Sequence, residues 1–288
     1  MRFRWDWLRP VVLAPYVPTI GPVHPSVLTE DLFTDTLIAA STDRRFLRYD
    51  KDIRWSDSKV ETVLVEAVVH RPGETLIPTL SRRGAGMVKV HLYGIDDSAL
   101  AATELAQKLA AEHGAAKARI VRFLGPEAPD GRGTRIQLQD FRATIRPAGD
   151  GPVRSFDEWP ANARGTFDDF AEEMAADGFA FLYEQMQAGT VGPVLTAVLG
   201  GRVAGAIGPM EIRPDAIGTP QLMPQYFGVL PEHRGRGLGR LLWRAAMHWG
   251  QANGAAYQLL QTEVGGASDC LCRSEGLMSL GFTYWQAS

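Results

Sequence analysis

The sequence predicts an α/β (α+β) protein in two parts, the first a smaller α/β domain. Three observations predict it. A chain of 288 residues exceeds one average domain and suits two. Short β-branched or alternating runs recur in both halves, interleaved with longer stretches whose apolar residues fall at helical spacing. Between two such sets lies "GPEAPDGRG" (125–133), which reads as a long hairpin loop or a linker. The boundary is placed between 133 and 142, giving an N-terminal α/β domain (1–141) of unassigned role and a C-terminal domain (142–288).

In chain order, residues 1–55 carry many prolines and no clear period and read as irregular. "KVETVLVEAVVH" (59–70) and "GMVKVHLYG" (86–94) read as strands. "DDSALAATELAQKLAAEHG" (96–114) reads as a helix, capped by Ser98 or Asp97, with Leu100, Leu105 and Leu109 near one stripe and Gly114 as its stop. "KARIVRFL" (117–124) is a strand, and "TRIQLQDFRATIRP" (134–147) is one strand or two around Asp140. Residues 155–189 are mostly helical, with breaks at Pro160, Gly165 and Gly178. Their acidic run Asp168, Asp169, Glu172 and Glu173 is a solvated face or a patch for a cationic substrate. "PVLTAVLGGRVAGAIGPMEI" (193–212) is two strands turned at Gly200-Gly201. "PQLMPQYFGVLP", closing at Pro231, reads as one further strand. A helix follows from about Leu238 to Asn253, then a strand at 255–264 and a short helix at 268–280 capped by Ser268 or Asp269.

Composition excludes several function classes. The chain is 45% hydrophobic and 22% charged, which is globular rather than disordered. With 30 basic against 33 acidic residues it lacks the basic excess of a duplex-binding surface, so no nucleic-acid partner is expected. The 2 cysteines, Cys270 and Cys272, stand too close for ordinary disulfide geometry, and no metal-ligand spacing accompanies them. A reducing, cytoplasmic location without a metal is the expectation. The opening "MRFRWDWLRPVVLAPYVPTIGPV" places Asp6 and several prolines where a signal peptide would be apolar. No uninterrupted apolar run reaches the length of a membrane span, so no membrane partner is expected.

The chemistry concentrates in "PEHRGRGLGRLL" (231–242), between a strand and a helix. Helix-start amides lack intrahelical acceptors and sit at the positive end of the helix dipole. Glycines let a ligand approach the backbone, and successive N–H groups make an anion nest. Arginines add charge-assisted hydrogen bonds. This constellation suits a diphosphate. It is not a Walker loop, since no Gly-Lys-Ser/Thr follows, nor is it G-x-G-x-x-G. It reads R-x-x-G-x-G over Arg234 to Gly239.

That pattern, within "YFGVLPEHRGRGLGRLLWRAAMHWGQANGA", resembles motif A of the GNAT superfamily of N-acetyltransferases. "ATIRPAGDG" (143–151) resembles the family's first strand, "LGGRVAGAIG" its second hairpin, and "LMSLGF" (277–282) the end of its last helix. The resemblance covers about residues 142–288 and implies a mixed, mostly antiparallel sheet flanked by helices there, preceded by the smaller α/β domain. It implies acyl-CoA-dependent N-acyl transfer, with acetyl-CoA as co-substrate, by direct attack of a primary amine on the thioester. Carried over by position, backbone N–H groups of Arg234, Gly235, Arg236, Gly237, Leu238, Gly239 and Arg240 hold the pyrophosphate. Phe227, Gly228 and Val229 pair with the pantetheine arm, and an N–H near Gly228 polarises the thioester carbonyl. Gly228 itself fits a bulge, a close ligand approach or plain packing.

For the base, Glu263 and Glu211 are the candidates. Many family members use a tyrosine four residues before the "GF" glycine, and that position is Leu277. Either the thiolate leaves unassisted, or Tyr226, Tyr257, Cys270 or Ser274 substitutes. His233 and His248 read as a loop and a helix-face residue. Two more strands usually follow "GF" in the family. With six residues after Phe282, they are expected from outside 142–288: from the strands at 59–70 and 86–94, or from a partner subunit. The acceptor implied is a small-molecule amine or amino-acid derivative, on a monomer or homodimer. Two other readings stand beside it: a protein or peptide N-acetyltransferase, and a non-catalytic coenzyme A-binding regulator. The strand–helix–strand at 87–124 resembles a degenerate repeat of the same fold, or belongs to an unrelated substrate-binding or dimerising domain.

Overall fold

The computed structural model describes residues 3–41, 46–56, 59–94, 99–128, 131–143 and 151–287. The chain is a mixed α/β protein with mostly antiparallel strand pairs. It folds as two compact units. One comprises Met1–Gln139, Asp215–Ile217 and Leu259–Ser288; the other comprises Asp140–Pro214 and Gly218–Gln258.

In the first unit, strand Met87–Gly94 pairs antiparallel with Glu74–Ser81 and parallel with Lys117–Leu124. The parallel neighbours are joined by helix Ala99–Glu112, as a crossover requires. That helix buries Ala102, Ala106, Leu109 and Ala110, so its inner stripe is largely alanine, and Leu100 is 70% exposed. The expected caps Ser98 and Asp97 lie outside the described residues. Strand Glu74–Ser81 was not evident in the sequence because it is buried on both faces and so does not alternate. The expected strand at 59–70 is two short ones, Glu61–Val63 and Val69–Arg71, parted by a 3-10 turn, Val65–Ala67. Residues 1–55 are not irregular throughout: they hold helices Trp5–Leu8 and Glu30–Ser41. These put Leu8, Phe33 and Leu37 into a core with Tyr93 and Phe123.

The end of the chain corrects the reading of 268–280 as one helix. The helix is Ala267–Ser274. Gly276, at φ +82°, ends it, with the Gly276 amide donating to the Arg273 carbonyl and the Leu277 amide to the Cys272 carbonyl, both at 3.1 Å. This Schellman-type stop releases the chain into a strand, Met278–Ala287. The strand lies between Lys117–Leu124 and Thr134–Asp140, antiparallel to both. Its edges are therefore covered from the N-terminal half, but by 117–124 and 134–140 rather than by 59–70 and 86–94.

The second unit is built on a four-stranded antiparallel sheet in the order Tyr226–Val229, Arg202–Gly208, Leu195–Leu199, Val153–Ser155. Gly200 and Gly201, at φ +57° and +82°, make the expected tight hairpin. Helices Phe167–Glu173 and Phe179–Gln187 cover one face with Phe167, Phe170, Phe179 and Leu182. Helix Leu238–Ala252 covers the other, and a Cβ on Gly205 would stand 2.9 Å from Leu242 Cδ1. The single strand expected through "PQLMPQYFGVLP" is instead two in different sheets. Pro220–Leu222 pairs with Ile212–Pro214 and with Tyr257 and Gln258, while Tyr226–Val229 joins the four-stranded sheet. Pro224, which has no N–H for a ladder, stands at the break. Of the strand expected at 143–151, residues 144–150 lie outside the described residues.

Candidate functional site

The site begins with the phase of strand Tyr226–Val229. Its pairing with Arg202–Gly208 runs in unbroken register, Val229 opposite Gly205 and Gly228 opposite Ala206. The Leu230 amide donates to the Ala204 carbonyl at 3.0 Å. Hydrogen-bonded pairs alternate along an antiparallel ladder, so Gly228 also faces its partner strand. Phe227 and Val229 then turn their N–H and C=O groups to the opposite edge, where no strand pairs among the described residues. The amide expected to polarise a bound carbonyl is therefore not that of Gly228, which is spent inside the sheet; the available ones belong to its two neighbours. Gly228 is glycine for packing. A Cβ there would stand 2.7 Å from both Met174 Cε and Phe179 Cε2, and there is no bulge.

Past the strand, a short 3-10 turn, Pro231–His233, reverses the chain. The Arg234 Nε donates to the Val229 carbonyl at 2.9 Å, tying the turn to the open edge. Gly235 and Gly237 have φ +75° and +81°, which a side-chain-bearing residue adopts only at a cost of about 1 kcal/mol or more. A Cβ at either would meet no atom within 4 Å, so both glycines border open space. The first helical hydrogen bond is Leu241 N–H to Gly237 C=O, at 3.1 Å, and it leaves the amides of Leu238 and Gly239 ahead of the ladder. Gly235, Arg236, Gly237 and Arg240 are exposed, and among the described residues no carboxylate pairs with Arg234 or Arg236. Glycines bordering open space, leading amides and arginines with no carboxylate partner together fit a pyrophosphate.

The other candidates are scattered. Tyr226, half-buried, packs its ring against Phe179 and Phe181, with centroids 6.3 and 6.4 Å apart. Glu211 is paired with Arg213. Tyr257 is buried in its strand, at 3% exposure. In the first unit, Glu263 is exposed at the end of strand Tyr257–Glu263, Cys270 is exposed, and the Ser274 hydroxyl donates to the Leu271 carbonyl at 2.7 Å. Of the expected set, the strand and turn residues and Tyr226 share the second unit, and Glu263 belongs to the first.

Leu277, four residues before Gly281, is buried at 8% and lies beyond the last helix, which Gly276 ends; Cys272 lies four residues before that helix-ending glycine. Cys272 is 2% exposed, and burial, reinforced by the charges of Asp269 and Glu275, pushes its thiol up to about 11. The sequence offers Asp269 only as an alternative to Ser268 for the helix cap. It is fully buried and accepts hydrogen bonds from Arg135 Nε (2.8 Å), the Gly265 amide (3.1 Å) and Thr262 Oγ1 (3.2 Å). Burial pushes its carboxyl up, but these donors and the Arg135 charge outweigh burial and hold it below its ordinary value. Nothing local in the sequence links Arg135 to Asp269, 134 residues apart.

The model of the acetyltransferase (GNAT) family matches residues 156–268, a span that contains the open strand, the arginine–glycine turn and the helix behind it. Residues 156–268 are a GNAT acetyltransferase domain. The family is one of acyl-CoA-dependent N-acetyltransferases. No curated protein matches the sequence. Among solved structures, a GCN5-related N-acetyltransferase from Sphaerobacter thermophilus is 15% identical at a TM-score of 0.44, covering 87% of this chain and 93% of that one. A tandem GNAT protein from the clavulanic acid biosynthesis pathway is 12% identical at 0.48, covering 88% and 92%. A GCN5-related N-acetyltransferase from Kribbella flavida is 14% identical at 0.44, covering 78% and 91%. Among the described residues no helix is long and apolar enough to cross a membrane, and no group of His, Cys, Asp and Glu could hold a metal.

Proposed function

We propose that the GNAT domain transfers an acyl group, in the simplest case acetyl, from acyl-CoA to the primary amine of a small molecule or amino-acid derivative. The observation that carries this reading is the open edge of Tyr226–Val229 running directly into the arginine–glycine turn. Acyl-CoA, when bound, would supply the activated thioester and leave as the coenzyme A thiol. The backbone N–H groups from Arg234 to Arg240 hold its pyrophosphate, with the arginine side chains neutralising charge. Phe227 and Val229 offer outward amides to the pantetheine arm and to the reacting carbonyl, the role of an oxyanion hole. Tyr226, in the same unit as the open strand, is the hydroxyl we assign as an available proton donor. We assign catalysis to residues 142–288 and a supporting role to 1–141, which contributes the neighbours of Met278–Ala287.

A thiol-release assay with acetyl-CoA and a panel of small amines, amino-acid amides and peptides tests this. Turnover with a small primary amine above the rate with peptides is expected. Peptide turnover alone would move the acceptor to proteins. Tight coenzyme A binding with no thiol release for any amine would make the domain a non-catalytic binder.

A further inference from the structure

The first unit contains a cavity of about 370 Å³ unrelated to the arginine–glycine turn. Two features of its wall are costly, a buried ion pair and a strained residue, and both meet at Lys59. Lys59, only 6% exposed, forms an ion pair with the fully buried Asp50. Such a buried pair stabilises a fold little or not at all relative to apolar packing. The Lys59 ammonium also donates to the carbonyl and hydroxyl of Thr19, at 2.9 and 3.2 Å. Thr19 has φ +68°, and among the described residues no other non-glycine has a positive φ. For a β-branched residue this is real strain, and strain of that kind collects at binding sites.

Charge states what the cavity would accept. The Lys59–Asp50 pair is neutral, and so is the pair of Lys89 with Glu61, at 3.0 Å. Lys51, Arg83 and Asp52 remain on the wall. Lys51 donates to the Ile20 carbonyl at 2.9 Å, and among the described residues no carboxylate pairs with Lys51 or Arg83. Among the described residues of the wall the surplus is one positive charge. Phe46 and Trp55 line the same cavity and add apolar surface. We propose that this cavity binds a small monocarboxylate, its carboxylate at Lys51 and Arg83 and its apolar body against Phe46 and Trp55. A phosphate dianion would exceed the single surplus charge.

Calorimetry on the full chain with phenylacetate as the probe tests this, with phenylacetamide and inorganic phosphate as comparisons. Saturable one-to-one binding of phenylacetate is expected, weakened about tenfold or more in the neutral amide, as for loss of a charge-assisted contact. Arg83→Gln and Lys51→Gln should each weaken phenylacetate by a similar factor. Arg83 is exposed, so its variant serves even if Lys51→Gln, which loses the bond to Ile20, does not fold. Gly237→Glu should leave phenylacetate binding untouched. Absent saturation, equal affinity for the amide, tighter binding of phosphate, or full affinity in a folded Arg83→Gln variant would each overturn the proposal.

Discussion

Two strand-to-helix passages in this chain invite comparison. Strand Tyr226–Val229 leads into helix Leu238–Ala252, and strand Met87–Gly94 precedes helix Ala99–Glu112. The first strand is paired on one edge and the second on both, by Glu74–Ser81 and Lys117–Leu124. The connecting sequences differ in the same sense. One is rich in arginine and glycine; the other, Ile95 to Ser98, contains Asp96 and Asp97 and lies outside the described residues. A common local plan therefore serves two ends. Closing the sheet with a parallel neighbour uses up the strand's backbone groups for stability, whereas leaving its edge open keeps amides for a ligand.

The comparison can be broken most severely by removing one side of it. A fragment of 142–288 retains the open strand and its turn but strips Met278–Ala287 of both partner strands. It should be insoluble, or lack a cooperative melt. A soluble monomeric fragment melting with the midpoint of the whole chain would mean those partners are dispensable. Next in size, Gly237→Glu places in the open turn the kind of charge that Asp96 and Asp97 place in the other connection. Coenzyme A affinity should fall at least about a thousandfold, roughly 4 kcal/mol. Unchanged calorimetric affinity with the fold intact would remove the turn from the binding site.

The closed strand has a signature of its own. His91 is 2% exposed, and burial, with the Lys89 charge against it and the Glu61 charge for it, lowers it from 6.5 to about 4. The unfolded chain therefore takes the proton first. The stability from keeping His91 neutral is complete above pH 6.5, is lost as pH falls toward about 4, and stays lost below it. The loss should reach up to about 3 kcal/mol. Urea melts at pH 7 and 4.5 should show it, and His91→Gln should flatten that difference. An equally steep dependence in the variant would assign the acid sensitivity elsewhere. The smallest effect is expected beside the open strand. Tyr226→Phe should cost less than about tenfold in kcat, roughly 1.4 kcal/mol, if the thiolate needs no dedicated acid. A hundredfold loss at unchanged affinity would make Tyr226 the acid.

The open passage was legible in the sequence because its signals are local. Gly235 and Gly237 stand where the turn needs positive φ, Gly200 and Gly201 likewise make their hairpin, and the apolar stripe of the following helix has the right period. The strand pairings were not legible, because they depend on partners far away in sequence. The end of the last helix illustrates this. Gly276 and Gly281 are each followed by an apolar residue, Leu277 and Phe282, and only the structure separates a helix-ending glycine from one at a strand irregularity, between Ser279 and Gly281. The direction of the Gly228 amide was hidden for a related reason. Ladder phase is a property of a strand pair, and a one-residue change of phase exchanges Gly228 with its neighbours.

The position of Met278–Ala287 between Lys117–Leu124 and Thr134–Asp140 also has a consequence for biosynthesis. Chain growth at ~5–20 residues per second leaves those two strands waiting on the order of ten seconds for the one that fits between them. During that interval each exposes an unpaired edge beside apolar side chains such as Val121, Phe123, Ile136 and Leu138, a surface prone to pairing with other nascent chains. The second unit, contained within Asp140–Gln258, can close earlier. Vectorial synthesis thus completes the middle of this protein before its beginning, and the N-terminal sheet is the part that most needs a chaperone.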